Sequence, residues 1–89
     1  MLALEQTNTF KKSLKKYRHK KAVLEELKHI VALLVNEKSI PTKYHDHELK
    51  GNYAGIRELH LKPDALLLYI KVESRKITLM AMGSHSEIF

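Results

Sequence analysis

The sequence predicts an α+β fold, a helical hairpin packed on a small antiparallel sheet with a short N-terminal strand. Three observations lead there. Apolar residues recur at helical spacing from Phe10 to Val35. Ile56–Leu61, Ala65–Val72 and Lys76–Met82 are short β-compatible segments. Between these segments lie two turn sequences, Lys62-Pro63-Asp64 and Glu73-Ser74-Arg75.

Taken in order, Leu2-Ala3-Leu4 predicts the short first strand, and Thr7 or Asn8 is placed to cap a helix. Phe10, Leu14 and Tyr17 fall on one face of that helix, with lysines opposite. The apolar register shifts before Val23, which predicts a break near His19. The second helix has a wide stripe of Leu24, Leu27, Val31 and Leu34 flanked by Val23, Ile30 and Val35, while Glu25, Lys28, His29 and Glu37 face water. So short a connection predicts an antiparallel pair. Asn36 through Pro41 ends the helical part. Pro63 suits the first central position of a type I turn and Asp64 the second. The middle strand, Ala65–Val72, is apolar on both parities, as a strand covered on both faces should be.

Eighty-nine residues make one domain, residues 1–89, with an expected radius of gyration of about 12 Å. Hydrophobic residues at 44% and charged residues at 29% describe a folded chain rather than a disordered one. The absence of cysteine excludes disulfides, thiolate metal sites and cysteine nucleophiles. The longest apolar runs, Ile30–Val35 and Ala65–Ile70, are far below the roughly 18–20 residues of a membrane span. Glu5 interrupts the stretch a signal peptide would need, so the expected compartment is the cytoplasm, with no membrane association. The net charge is +6, and residues 1–43 hold ten basic and four acidic side chains against six of each in residues 44–89. The excess is densest at Lys11, Lys12, Lys15, Lys16, Arg18, Lys20 and Lys21. Such a patch attracts a phosphate backbone or an acidic protein, although a solvated helix face has the same composition.

Six histidines carry most of the remaining chemistry. His19 and His29 lie among solvated charges and are set aside. His45-Asp46-His47 would put two imidazoles on one side of an extended segment, but no third ligand stands at a diagnostic spacing, so no metal is expected. Glu58 and His60 share one strand parity, while Arg57, Leu59 and Leu61 share the other. His85 lies in Gly83-Ser84-His85-Ser86-Glu87-Ile88-Phe89, where the glycine permits a bend and Phe89 can fold back as an apolar anchor. No Walker-type loop, GxSxG, HExxH or dinucleotide fingerprint is present. What remains is acid–base work by histidine and carboxylate beside a basic surface. RNA cleavage needs only that: a base for the 2′-hydroxyl, an acid for the departing 5′-oxygen and cations around the phosphate.

Read together, His47-Glu48-Leu49-Lys50-Gly51, Arg57-Glu58-Leu59-His60-Leu61-Lys62-Pro63-Asp64 and Gly83 to Phe89 resemble, in order and spacing, the YafQ branch of the RelE/ParE toxin superfamily of bacterial toxin–antitoxin systems. The likeness spans essentially the whole chain. It implies a ribosome-dependent endoribonuclease that cuts translated mRNA in the ribosomal A site without metal or cofactor, held inactive by a cognate antitoxin. His47, His60, Asp64 and His85 match the family's active-site positions, Phe89 matches a supporting terminal aromatic, and Glu58 is a supporting carboxylate. His85 is the expected general acid, and the base is His47, His60 or Asp64. Arg57, Lys50 and Lys62 are candidates for phosphate contacts, with Lys11, Lys12, Lys15 and Lys16 extending the RNA-binding surface. By strand alternation Arg57 points away from His60, so its contact requires a bulge or twist. Where some members carry an aromatic after the hairpin aspartate, this chain has Ala65.

Two other functions fit the same scaffold: a non-cleaving relative that poisons gyrase, and a plain RNA-binding module. The histidines weigh against the first, since that activity needs no imidazole there. The expected antitoxin is acidic, with a C-terminal segment that folds as it wraps the basic helices and sheet.

Overall fold

The computed structural model describes residues 1–89. Its elements are β1 (Ala3–Gln6), α1 (Asn8–Lys16), α2 (Lys21–Val35), β2 (His47–Glu48), β3 (Arg57–Lys62), β4 (Ala65–Val72), β5 (Lys76–Gly83) and α3 (His85–Ile88), with single 3-10 turns at Thr42–Tyr44 and Gly51–Tyr53. The five strands form one sheet in the order β1-β5-β4-β3-β2.

The sheet is mixed, which corrects the expectation of an antiparallel one. The pairs from β2 to β5 are antiparallel, but β1 runs parallel to β5, from Ala3 opposite Lys76 to Gln6 opposite Leu79. No tight turn joins β1 to β5, and most of the chain lies between them, so hairpin geometry does not constrain their direction. The first strand also starts one residue later than expected, because Leu2 is drawn into the core and its amide donates to the Val35 carbonyl at 2.7 Å.

Thr7 caps α1 by accepting from the Phe10 amide at 3.0 Å, and its hydroxyl donates to the Met80 carbonyl of β5 at 2.7 Å. The cap thus also pins α1 to the sheet. The chain turns at Tyr17–Lys20, as the register shift near His19 predicts. Each helix then packs chiefly on the sheet, α1 on β5 and α2 on β3. A Schellman closure ends α2: Glu37, at φ 54°, donates to Leu34 and Lys38 donates to Leu33. Phe10, Tyr17, Leu27 and Ile30 meet Leu59, Leu67, Tyr69, Ile77, Leu79 and Met82 in a single apolar cluster. The radius of gyration is 12.1 Å.

The strand alternation is reset at one place with consequences for the site. Leu68 pairs with Ala81 but Tyr69 pairs with Leu79, so Met80 is an extra residue in β5. A one-residue insertion exchanges the two faces beyond it. Met82 therefore enters the core beside Leu67, and Gly83 falls on the opposite face beside Leu66. That second face has its own apolar floor, Leu66 and Leu68, both buried. The candidate site is built on it.

Candidate active site

Two rows cross the face that points away from α1 and α2. His47 of β2 pairs with Glu58 of β3, which pairs with Leu68 and through it with Ala81; His60 pairs with Leu66, which pairs with Gly83. Glu58, only 4% exposed, is the one buried charged residue of the chain. One of its oxygens lies 3.6 Å from His47 Nε2 and 3.7 Å from His60 Nε2, so two imidazoles share one carboxylate. The His47 side chain is 50% exposed and that of His60 26%, so both remain open to a substrate. His47 Nδ1 lies 2.6 Å from the His45 carbonyl. A carbonyl can only accept, so Nδ1 carries the proton of that bond and Nε2 is left to gain or lose one.

His85 arrives from α3. Its ring lies 6.3 Å from that of His60, and Phe89 follows at 5.9 Å from His85. A capping box fixes the N-terminal end of its single turn. The Ser84 amide donates to Glu87 Oε1 at 2.8 Å and the Glu87 amide donates to Ser84 Oγ at 3.3 Å. The buried Tyr17 hydroxyl donates to the same Glu87 oxygen at 2.9 Å, tying α3 to the end of α1. These donors hold the Glu87 carboxyl below the usual carboxylate range, the Ser84 amide first and the Tyr17 hydroxyl second. Burial, and then Glu87, push the Tyr17 phenol up to about 12. Gly83 packs closely on this carboxylate: a Cβ there would lie 3.0 Å from Glu87 Oε1, so Glu87 would have to shift to admit a side chain.

The other expected residues are spread around this centre. Asp64 lies at the tip of the β3–β4 hairpin, in an open recess of about 370 Å³ shared with Lys16, Tyr17, Lys62 and Ser84. No contact joins it to the imidazoles. Lys62 also lines a recess of about 470 Å³ with Lys43, His45 and His60. Lys12 and Lys16 face the groove between α1 and the C-terminal segment. Lys11, Lys15 and Lys50 are exposed. Arg57 is on the helix side, where it donates to both Asp46 oxygens at 3.3 Å beside Tyr69, whose hydroxyl donates to Asp46 at 2.6 Å. Its guanidinium is pushed further up by Asp46, and burial with the same carboxylate raises the Tyr69 phenol. The bulge in β3 lies between His60 and Lys62, past Arg57, so alternation keeps Arg57 off the histidine face. The segment at His45 is not extended, as the spacing with His47 suggested; His45 ends a 3-10 turn at φ 52° and its ring meets His60 at 5.8 Å. No group of three His, Asp or Glu side chains is arranged to hold a metal ion.

A family model described as a bacterial toxin of type II toxin–antitoxin systems, YafQ, matches residues 2–89. The chain belongs to the YafQ toxin family. The mRNA interferase toxin YafQ of Escherichia coli strain K12 is 29% identical over 87 residues, covering 97% of this chain and 94% of that protein. A crystal structure of a metal-bound toxin from Helicobacter pylori matches with a TM-score of 0.90 at 40% identity, over 100% of both chains. The crystal structure of the E. coli DinJ–YafQ complex matches with a TM-score of 0.88 at 27% identity, over 100% of this chain and 99% of that one. The fold is thus shared with these relatives, and the α+β expectation holds.

Several residues of this YafQ-family site escape a reading of the sequence. Tyr17 looks like one more apolar position of α1, yet its hydroxyl braces α3. The Ser84-x-x-Glu87 capping box is a sequence signal that would have predicted the last helix. Tyr53, in the turn after Lys50, meets Phe89 at 5.3 Å, and only the tertiary structure brings the two together.

Proposed function

We propose that this YafQ-family toxin is an mRNA interferase: an endoribonuclease that cuts mRNA in the ribosomal A site and so stops translation in the cytoplasm. The observation that carries the reading is that His47 and His60 share the buried Glu58 while His85 approaches His60, on a face bordered by Lys62. In the reaction, His47 Nε2 takes the proton of the 2′-hydroxyl, and the 2′-oxygen attacks phosphorus to form a 2′,3′-cyclic phosphate. The bond to the 5′-oxygen breaks as His85 protonates it. His60 and Lys62 steady the charge on the phosphate, the nearby Glu58 carboxylate steadies the imidazolium that forms on His47, and the His45 carbonyl holds its Nδ1–H in place. These steps need only imidazole, ammonium and carboxylate groups. Asp64 and Lys16 lie in the next recess, where they meet the substrate strand rather than the reacting atoms. Arg57 braces the β2–β3 edge through Asp46.

The partner is an acidic antitoxin, by analogy with the DinJ–YafQ complex of E. coli. Its counterpart on this chain is the lysine-rich surface of α1 and the groove lined by Lys12 and Lys16.

The test is cleavage of ribosome-bound mRNA by His47→Ala and His85→Ala. Each should lose at least about a hundredfold in rate. An mRNA whose departing 5′-oxygen is replaced by sulfur needs no acid, so it should restore His85→Ala and leave His47→Ala inactive. Full cleavage of ordinary mRNA by a folded His85→Ala protein would remove the assignment of the acid.

A further inference from the structure

Five rings run in an unbroken row across the site. His45 lies 5.8 Å from His60, His60 6.3 Å from His85, His85 5.9 Å from Phe89, and Phe89 5.3 Å from Tyr53. The last two rings are open to solvent, Phe89 at 49% and Tyr53 at 44%. Of the four tyrosines, Tyr17, Tyr44 and Tyr69 each donate their hydroxyl to a carboxylate. Tyr53 makes no such bond. Yet its turn is braced: Gly51 adopts φ 67°, the Ala54 amide donates to Gly51, the Ile56 amide donates to Tyr53, and Gly55 donates to Glu48. An aromatic ring held at a fixed place, without internal bonds and beside a catalytic row on a chain of net charge +6, suits a flat, apolar face on a polyanion.

We propose that Tyr53, together with Phe89, is the stacking subsite for the base of the nucleotide immediately 3′ of the cut. The direction rests on the mechanism proposed above: His85 protonates the 5′-oxygen of the downstream nucleotide, and Phe89 and Tyr53 are the next rings beyond His85. Stacking accepts any base, so this subsite supplies affinity and register while sequence choice lies elsewhere. Tyr53 contacts substrate in this reading and does more than cover Phe89.

The test is an NMR titration of the full chain with a short single-stranded RNA whose 2′-hydroxyls are methylated, so that it binds without being cut. An abasic nucleotide is then moved through each position in turn. Tyr53→Ala should weaken binding of the intact RNA about tenfold, and Tyr53→Phe should bind like the parent. At one position the abasic RNA should bind weakly and show no further loss with Tyr53→Ala. The proposal is overturned if Tyr53→Ala binds intact RNA as the parent does. Equal weakening toward intact RNA and every abasic RNA would also overturn it, since that is the behaviour of a ring that only supports Phe89. Cleavage assays separate the two readings: binding with this single-position coupling, without any cleavage of mRNA, leaves the subsite standing and removes the nuclease.

Discussion

Glu58 is the residue on which the chemistry is balanced. A buried carboxylate costs several kcal/mol unless charge or hydrogen bonds meet it, and here two half-open imidazoles are its only ionic partners. His47→Ala combined with His60→Ala should therefore destabilise the fold by about 2–4 kcal/mol, more than the loss of two partly exposed side chains explains. Adding Glu58→Gln should return most of that stability without restoring cleavage, and urea denaturation measures both. A double variant as stable as the parent would show that the carboxylate does not depend on the histidines. The parity of Glu58 and His60 was legible from their spacing, as was the opposite parity of Arg57. Nothing local revealed that His47 would stand across from Glu58, because that pairing is a contact between strands.

At the scale of elements, α3 is a single turn that cannot be stable alone and is held by its cap and by Tyr17. Removing the cap with Ser84→Ala should cost α3 about 1 kcal/mol, and Tyr17→Phe should loosen it while leaving the core filled. In both, the amides of Ser84 and Glu87 should exchange faster while those of β4 stay protected, and mRNA cleavage should fall as His85 loses its place. The same contact sets a pH window. The depressed Glu87 carboxyl stabilises docking above its ordinary value of 4.5, and this contribution is lost as the pH falls through its lower folded value. The raised Tyr17 phenol stabilises docking fully below pH 10 and loses it as the pH rises through about 12. The Tyr17 ring signals, which report the contact with Glu87 directly, should therefore be constant between these limits and move beyond them; a change centred near neutrality would place the control elsewhere. Strands β3 to β5 and both long helices were readable from apolar period and turn residues. The two-residue β2 and the four-residue α3 are too short to show a period, and α3 leaves only its Ser84-x-x-Glu87 capping box as a signal in the sequence.

Over the whole molecule, the dominant long-range force is the field of a +6 chain whose excess lies in its first half. Lys43 and Lys62 flank the recess beside His60, and Lys16 and Lys62 flank the one beside Asp64. With these three lysines on phosphates, the logarithm of affinity for single-stranded RNA should fall against the logarithm of salt with a slope of about −2. Replacing Lys62 by Gln should make that slope shallower by about 0.7, as anisotropy in a salt series would measure. A slope near zero would mean that the lysines serve only a protein partner.

The sequence by itself determined the class of fold, the turns, the basic half, and a short list of imidazoles and carboxylates capable of acid–base work. These follow from periodicity, turn chemistry and side-chain type, all of which are local properties. The tertiary structure alone decided that β1 runs parallel to β5, that an extra residue at Met80 sends Gly83 and the segment after it to the far face of the sheet, and that there His47 and His60 share Glu58 while His85 comes up beside His60. Strand direction, register and bulges are settled by packing between segments distant in sequence, and one residue of slip is enough to turn every side chain beyond it to the other face.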